Sequence, residues 1–364
     1  MTNFNHISQD LINDAIAKAE NSSKEVKAKI LPQIQELNNE MQIAVANNST
    51  TAQVKLPQLE KLNYGASFQS IPYINKVTGK AEVLPSDQGK FVTRDDTGKV
   101  LGIVKSRYGI VHNNDIHNQL CEAIEDVMPR EAFNGNIELR EVSSYGGALA
   151  EWSLSFDGMA RDIQQLTGST TQLNFLASAC NSFGGQGQSS VKVQIGSLDL
   201  ICTNKMVSAN LNASAWGHTL GFNVQVLREF IEQEIKIYDA KVKVWRAWAK
   251  KSITSRQAEA LLNEAYPPSK SEIAKAEKKG LTKGQATSRK MRLLMEQFEV
   301  EAETRGATVW AIYSALTNYS SHSSTRFTVK NSKTKDNVLA TLQARETEIA
   351  QVVQSDAFQE LATV

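Results

Sequence analysis

"GKFVTRDDTGKVLGIVKSRYGIVHNNDIHNQLCEAIEDVM", Gly89–Met128, changes its periodicity partway along, and that change decides the fold class. Phe91 and Val92 lead into Asp95-Asp96-Thr97-Gly98. In such a turn Asp supplies local hydrogen bonds and Gly a positive φ. "VLGIV" and "YGIV" then read as strands, giving a hairpin. From Ile116 the apolar residues recur at helical spacing, Ile116, Leu120, Ile124 and Met128, behind Asn113 or Asn114 as the capping residue. A hairpin followed directly by an amphipathic helix predicts an α+β protein.

The flanking sequence extends that reading. "NIELREVSSY", "GGALAEWSLSF", "TQLNFLASACNSF", "SSVKVQIG" and "LDLICTN" are successive strands with short connections, which predicts an antiparallel sheet with the helix packed on one face. Gly184, Gly185 and Gly187 lie between two of them. No Lys-Ser/Thr follows at P-loop spacing, and no helix opens there, so the glycines predict a hairpin turn. Alternation places Leu198, Leu200 and Cys202 on one face, where Cys202 is a small buried hydrophobe rather than a nucleophile.

Beyond the strands the chain turns helical. Val226, Phe230, Ile237, Val244 and Trp248 keep helical intervals, and "SITSRQAEALLNEAY" starts a further helix that ends at Pro267-Pro268. "SEIAKAEKKGLTKGQATSRK" is polar with two glycines and reads as an exposed loop or mobile segment. Trp310, Tyr313, Leu316 and Thr317 share a face of a later helix, and a polar helix or tail follows. Upstream, "ISQDLINDAIAKA" and a run interrupted by Pro32 predict a helical arm that ends in a linker. The expected organisation is an arm and linker over 1–60, a β-rich α+β core over 61–205, a helical region over 206–325 and a polar helix or tail over 326–364.

Composition bounds the function. Apolar residues make up 41% and charged residues 22%, the values of an ordinary soluble chain, and no run is long enough to cross a bilayer. The N-terminus lacks the basic-then-apolar layout of a secretion signal, and the three cysteines form no CxxC pair. A reducing cytoplasm is expected, with no membrane partner. The five histidines are scattered, so neither a metal nor another cofactor is expected. Asp95-Asp96 belong to a turn and Glu125-Asp126 to a helix end, so no acid pair meets a histidine in the sequence.

Basic residues are more informative. Net charge is +1, yet Lys241 to Arg292 holds 14 Lys or Arg against 4 Glu. Arg94, Lys99, Lys105, Arg107 and Tyr108 gather around the first hairpin, with Lys192 and Lys205 in or beside later strands. Cations on a sheet with an aromatic for stacking are what single-stranded nucleic acid requires. The competing reading is a solvated sheet face. Trp245 and Trp248, amid Lys241, Lys243, Arg246, Lys250 and Lys251, read as core anchors.

"DDTGKVLGIVKSRYGIVHNNDIHNQLCEAI", "LDLICTNKMV" and "VWAIYSALTNYSSH" together resemble, in order and spacing, a phage- and plasmid-borne domain-of-unknown-function family with a Cys-Thr-Asn signature. The resemblance spans roughly residues 60 to 325. Where that family commonly carries Ser-His-Asp-Gly, this chain has Ser182-Phe183-Gly184-Gly185, which argues against catalysis there. A basic hairpin, a packed helix and a helical C-terminal part are also similar in outline to single-strand annealing proteins of the Redβ/RecT kind. The family resemblance implies a mobile-element origin; together with the basic residues on strands and the lack of a catalytic set, it leads to the expectation of an oligomeric single-stranded-DNA-binding or annealing protein in the host cytoplasm. Its partners would be a phage exonuclease or a single-stranded-DNA-binding protein. A phage structural or assembly protein is the alternative, and a nuclease or nucleotide hydrolase the third reading.

Overall fold

The chain divides at Lys55, and the unit from Leu56 onward is described here. A computed structural model describes residues 55–184, 189–199, 205–207, 215–218, 224–322 and 338–363. The expected N-terminal helices, the glycines at 185 and 187, and Cys202 lie outside the described residues.

A six-stranded antiparallel sheet organises the fold. Strands β6 (Ile137–Ser144), β7 (Leu149–Gln164), β8 (Thr170–Phe183) and β9 (Ser189–Asp199) are neighbours in chain order, and the short β10 (Lys205–Val207) and β11 (Ala215–Gly217) both pair with β9. Phe183 pairs with Ser189 across β8 and β9, which are joined as a hairpin, and Gly184 beyond Phe183 has φ +83°. Register then sorts the side chains. Ala150, Trp152, Leu154 and Phe156 of β7 lie opposite Asn181, Ala179, Ala177 and Phe175 of β8, which meet Val191, Val193, Ile195 and Ser197 of β9. This face is buried in the main core. The other face is polar at its centre, where Glu151, Cys180 and Lys192 stand side by side.

Helix α1 (Asn113–Val127) packs on the apolar face, with Ile116, Leu120 and Ile124 fully buried, the stripe read from sequence. Its cap differs from expectation. His112 is the capping position and no side chain caps it. The Asn113 amide instead donates to Leu62 O, and that of Asn114 to Asn63. Both asparagines tie the helix to the segment before the hairpin.

The hairpin itself forms as read. Strands β4 (Lys90–Arg94) and β5 (Val100–Val104) close through Arg94 N to Lys99 O and Gly98 N to Arg94 O, with Gly98 at φ +65°. β1 (Ala66–Gln69) adds to β4, while β2 (Pro72–Ile74) and β3 (Ala81–Val83) form a separate ribbon. "YGIV" is not a strand. Tyr108 N turns back to Lys105 O, and the chain enters α1 directly.

Helices α2 (Val224–Lys236) and α3 (Tyr238–Lys250) replace the single helical run, breaking at Ile237. The buried stripe is Ile231, Ile235, Tyr238, Val242, Trp245, Trp248 and Ala249, so the expected Val226, Ile237 and Val244 face outward. α4 (Ser255–Ala265) opens on a Thr254/Gln257 capping box. The segment expected to be a loop contains α5 (Lys270–Glu277), nucleated by a Ser269/Glu272 box, and the start of α6 (Arg289–Arg305). α7 (Val309–Ser321) is buried on nearly every side rather than along one stripe. The final stretch is α8 (Val338–Gln354) and α9 (Asp356–Ala362), whose Ile349, Val352, Val353 and Phe358 join the core. The architecture is α+β, and no helix among the described residues is long and apolar enough to cross a membrane.

Candidate nucleic-acid interface

Four cations border the hairpin sheet without a carboxylate partner among the described residues: Lys90, Lys99, Lys105 and Arg107. Lys90 Nζ sits 5.0 Å above the ring of Phe68, itself 40% exposed. Such a pair leaves a cation and an aromatic together at the surface. The side chain of Lys99 lies across Gly146, in space that a Cβ at that position would fill. Lys105 and Arg107 occupy the exposed turn that precedes α1.

Arg94 and Tyr108 have structural partners. The Arg94 guanidinium makes two bonds to Asp96, at 2.7 and 2.8 Å, and lies 4.0 Å over the ring of Tyr64. Tyr108 is 7% exposed, its ring stacked on His218 with centroids 5.0 Å apart. Its hydroxyl has no partner among the described residues, and burial pushes its pKa well above the ordinary tyrosine value. A ring so enclosed belongs to the core rather than to a base-stacking surface.

Behind Tyr108 is a buried polar chain. Asn181 Nδ2 donates to Val111 O and to Asn113 Oδ1, each at 2.9 Å. Its own oxygen is therefore the acceptor, and His218 Nε2, 2.7 Å away, carries the proton. Desolvation lowers the His218 pKa to about 4, so the ring is neutral. His117 is likewise held neutral by burial, with Nε2 on Pro57 O and Sγ of Cys121 at 3.4 Å. The Cys121 thiol is itself pushed up to about 12 by burial, so this Cys–His contact holds no thiolate at neutral pH.

Lys192 lies on the opposite face of the sheet from Asn181 and so away from Tyr108. It lines a cavity of about 20 Å³, the space of one water molecule, with Glu151, Cys180, Gln194 and, from α8, Gln343 and Glu346. Gln343 Nε2 donates to Cys180 Sγ and Glu151 Oε2 at 2.8 and 3.2 Å. Burial, then the nearby Glu151 charge, push the Cys180 thiol up to about 12. Lys205 opens β10 opposite Leu198. The seven residues singled out from sequence thus divide: Arg94, Lys99, Lys105, Arg107 and Tyr108 stay around the hairpin, Lys192 is beneath α8, and Lys205 is on β10.

A second cationic site lies within the basic stretch of the sequence. An open groove of about 510 Å³ runs between the end of α4, the start of α6, α7 and α8. Lys290 Nζ stands 4.8 Å from the ring of Tyr266 and 5.2 Å from that of Tyr319, and pairs with Glu348 at 2.6 Å. Arg345 stacks on Tyr319 at 4.5 Å and donates to Tyr319 O and His322 O. The charge count from Lys241 to Arg292 pointed to this region. The groove itself was not legible in the sequence because Tyr319 and Arg345 come from helices distant along the chain.

Among the described residues, no group of three or more His, Cys, Asp or Glu is placed to hold a metal ion. In comparison with known proteins, a family model described as "Domain of unknown function (DUF932)" matches residues 100–351, from β5 into α8. No curated protein and no solved structure matches the chain.

Proposed function

Since the chain belongs to the domain-of-unknown-function family DUF932, we propose its function from its own surface: it binds and anneals single-stranded DNA, as an oligomer, in recombination or replication of a phage or other mobile element. The observation that carries this reading is the set of unpaired cations Lys90, Lys99, Lys105 and Arg107 beside the exposed ring of Phe68. Exposed salt bridges would neutralise such charges, and here none does so among the described residues. Phosphate contacts from the four cations give affinity without sequence readout, and Phe68 offers a face to a base.

The test is fluorescence anisotropy with a labelled oligothymidylate over a salt series. Four phosphate contacts give a slope of log K against log salt of about −3. The K105E/R107E double variant should lower affinity and flatten that slope. Binding that ignores salt, or that the double variant leaves unchanged, would overturn the hairpin as the contact surface.

One observation favours a second reading, an assembly protein of the mobile element. Ile103 is 63% exposed on the hairpin sheet, and Ile74 and Val83 are exposed on the neighbouring ribbon. Apolar side chains on small sheets are contact material for other subunits. Light scattering of the eluting protein with and without oligonucleotide separates the two. A defined oligomer indifferent to DNA supports assembly.

A further inference from the structure

We propose that the groove between α4, α6, α7 and α8 binds a nucleoside phosphate, with the phosphate at Arg289 and Lys290 and the base against Ala265, Pro267 and Leu293. All five residues line the same concavity, whose volume is that of a small-ligand site. Its wall is mixed in the way such a ligand demands: a cationic rim at the start of α6 and apolar side chains from the α4 end and the first turns of α6.

The rim offers more than two side chains. Ser288 caps α6, and Met291 N is satisfied by its hydroxyl. Arg289 N donates to Glu272 Oε1 at 2.8 Å. The Lys290 amide between them has no acceptor among the described residues. Helix N-termini favour anions, and here one amide of the first turn remains available beside two cationic side chains.

Two carboxylates have to be reconciled with an anionic ligand: Glu272, which lines the groove, and Glu348, which pairs with Lys290. Glu272 is held at both oxygens, by Arg289 N on one side and by Ser269 N and Oγ on the other. Those bonds, led by the one from Ser269, hold its pKa down at about 2. It is a structural anion joining α5 to α6. Glu348 is different: it is partly exposed and pairs with Lys290, while its other oxygen accepts from the Tyr319 hydroxyl at 3.3 Å. A phosphate entering the rim would replace Glu348 as the partner of Lys290. Glu348 is thus a competitor built into the site.

Isothermal titration of the full chain tests this with adenosine 5′-monophosphate, adenosine alone, and oligothymidylate with and without a 5′-phosphate. The monophosphate is expected to bind and adenosine to bind more weakly. Arg289→Ala, an exposed change that leaves the Lys290 pair intact, should weaken the monophosphate about tenfold. Glu348→Gln should tighten it. If a free nucleotide is the ligand, the monophosphate saturates the site. If a strand end is, the 5′-phosphorylated oligonucleotide alone shows the Arg289 dependence. The K105E/R107E variant should leave either result unchanged, which separates this site from the hairpin. No heat with any phosphorylated probe, or binding indifferent to both Arg289→Ala and Glu348→Gln, would overturn the proposal.

Discussion

His218 shows how one buried residue ties the fold to pH. Its Nε2–H is committed to Asn181 Oδ1, and desolvation lowers its pKa to about 4. In the unfolded chain an imidazole titrates near 6.5. Below that value the unfolded state gains a proton that the native state refuses, so stability is complete above about pH 6.5 and declines as the pH falls towards 4. The interval corresponds to roughly 3 kcal/mol at most. Urea midpoints measured from pH 7 to 4 should therefore slope downward, and His218→Asn, which keeps a donor for Asn181, should flatten the slope. Equal slopes in both proteins would remove His218 as the cause. Cys180 makes the opposite case at alkaline pH. Its thiol stays protonated to about 12, so iodoacetamide at pH 8.5 should not label it in the native protein and should label it in urea, as read by peptide mass spectrometry. The sequence showed Cys180 only as one member of an apolar strand. Its register opposite Glu151 and Lys192 needed three strands aligned.

Elements with a local signature were legible, and those set by packing were not. The hairpin from Lys90 to Val104 follows from Asp-Asp-Thr-Gly, and α1 from its four-residue spacing; both are short-range signals. The α2–α3 stripe was not legible, because Val226, Ile237 and Val244 share helical spacing with residues that do reach the core. With apolar residues on more than one face, tertiary contacts choose the inward side, and here Tyr238, Trp245 and Trp248 do so through ring contacts to Phe175, Trp310 and Tyr313. Helix α5 was hidden by its charges and by the glycines that follow it at 280 and 284, although Ser269-x-x-Glu272 is a capping box visible in the sequence. The stripe can be tested by two neighbours. Val244 is 48% exposed and Val242 is 1% exposed. Val244→Asp should change stability by less than about 0.5 kcal/mol, whereas Val242→Asp should lose more than about 3 kcal/mol or fail to fold. Denaturant melts of the two variants decide it, and an equal effect would restore the stripe read from sequence.

Across the whole described unit, sheet and helices share one core. Ring contacts run without interruption from Phe156 and Phe175 on the sheet, through Tyr238, Trp245 and Trp310, to Tyr313, Trp248 and Phe358 in the last helix. The candidate sites follow from this closure at two levels. The hairpin cations were readable because they are neighbours in sequence, whereas the groove exists only where α8 returns to α6 and α7. A buried charge network repeats the link between sheet and helices. Arg305 is 1% exposed, donates hydrogen bonds to Asp199 at the end of β9 and Thr171 at the start of β8, at 2.7 and 3.0 Å, and forms an ion pair with Glu301 one turn back on its own helix at 2.9 Å. Removing one member of such a network leaves desolvated carboxylates without the cation they share, which typically costs about 3–5 kcal/mol. Two consequences are expected together. Thermal unfolding of the intact chain should be a single transition by both tryptophan fluorescence and far-ultraviolet circular dichroism, since tryptophans and strands report the same core. Arg305→Met should lower that transition for both probes by the same amount. If fluorescence moved while the strand signal held, the helices would be melting alone, and the continuity of the core through Arg305 and Tyr238 would be wrong.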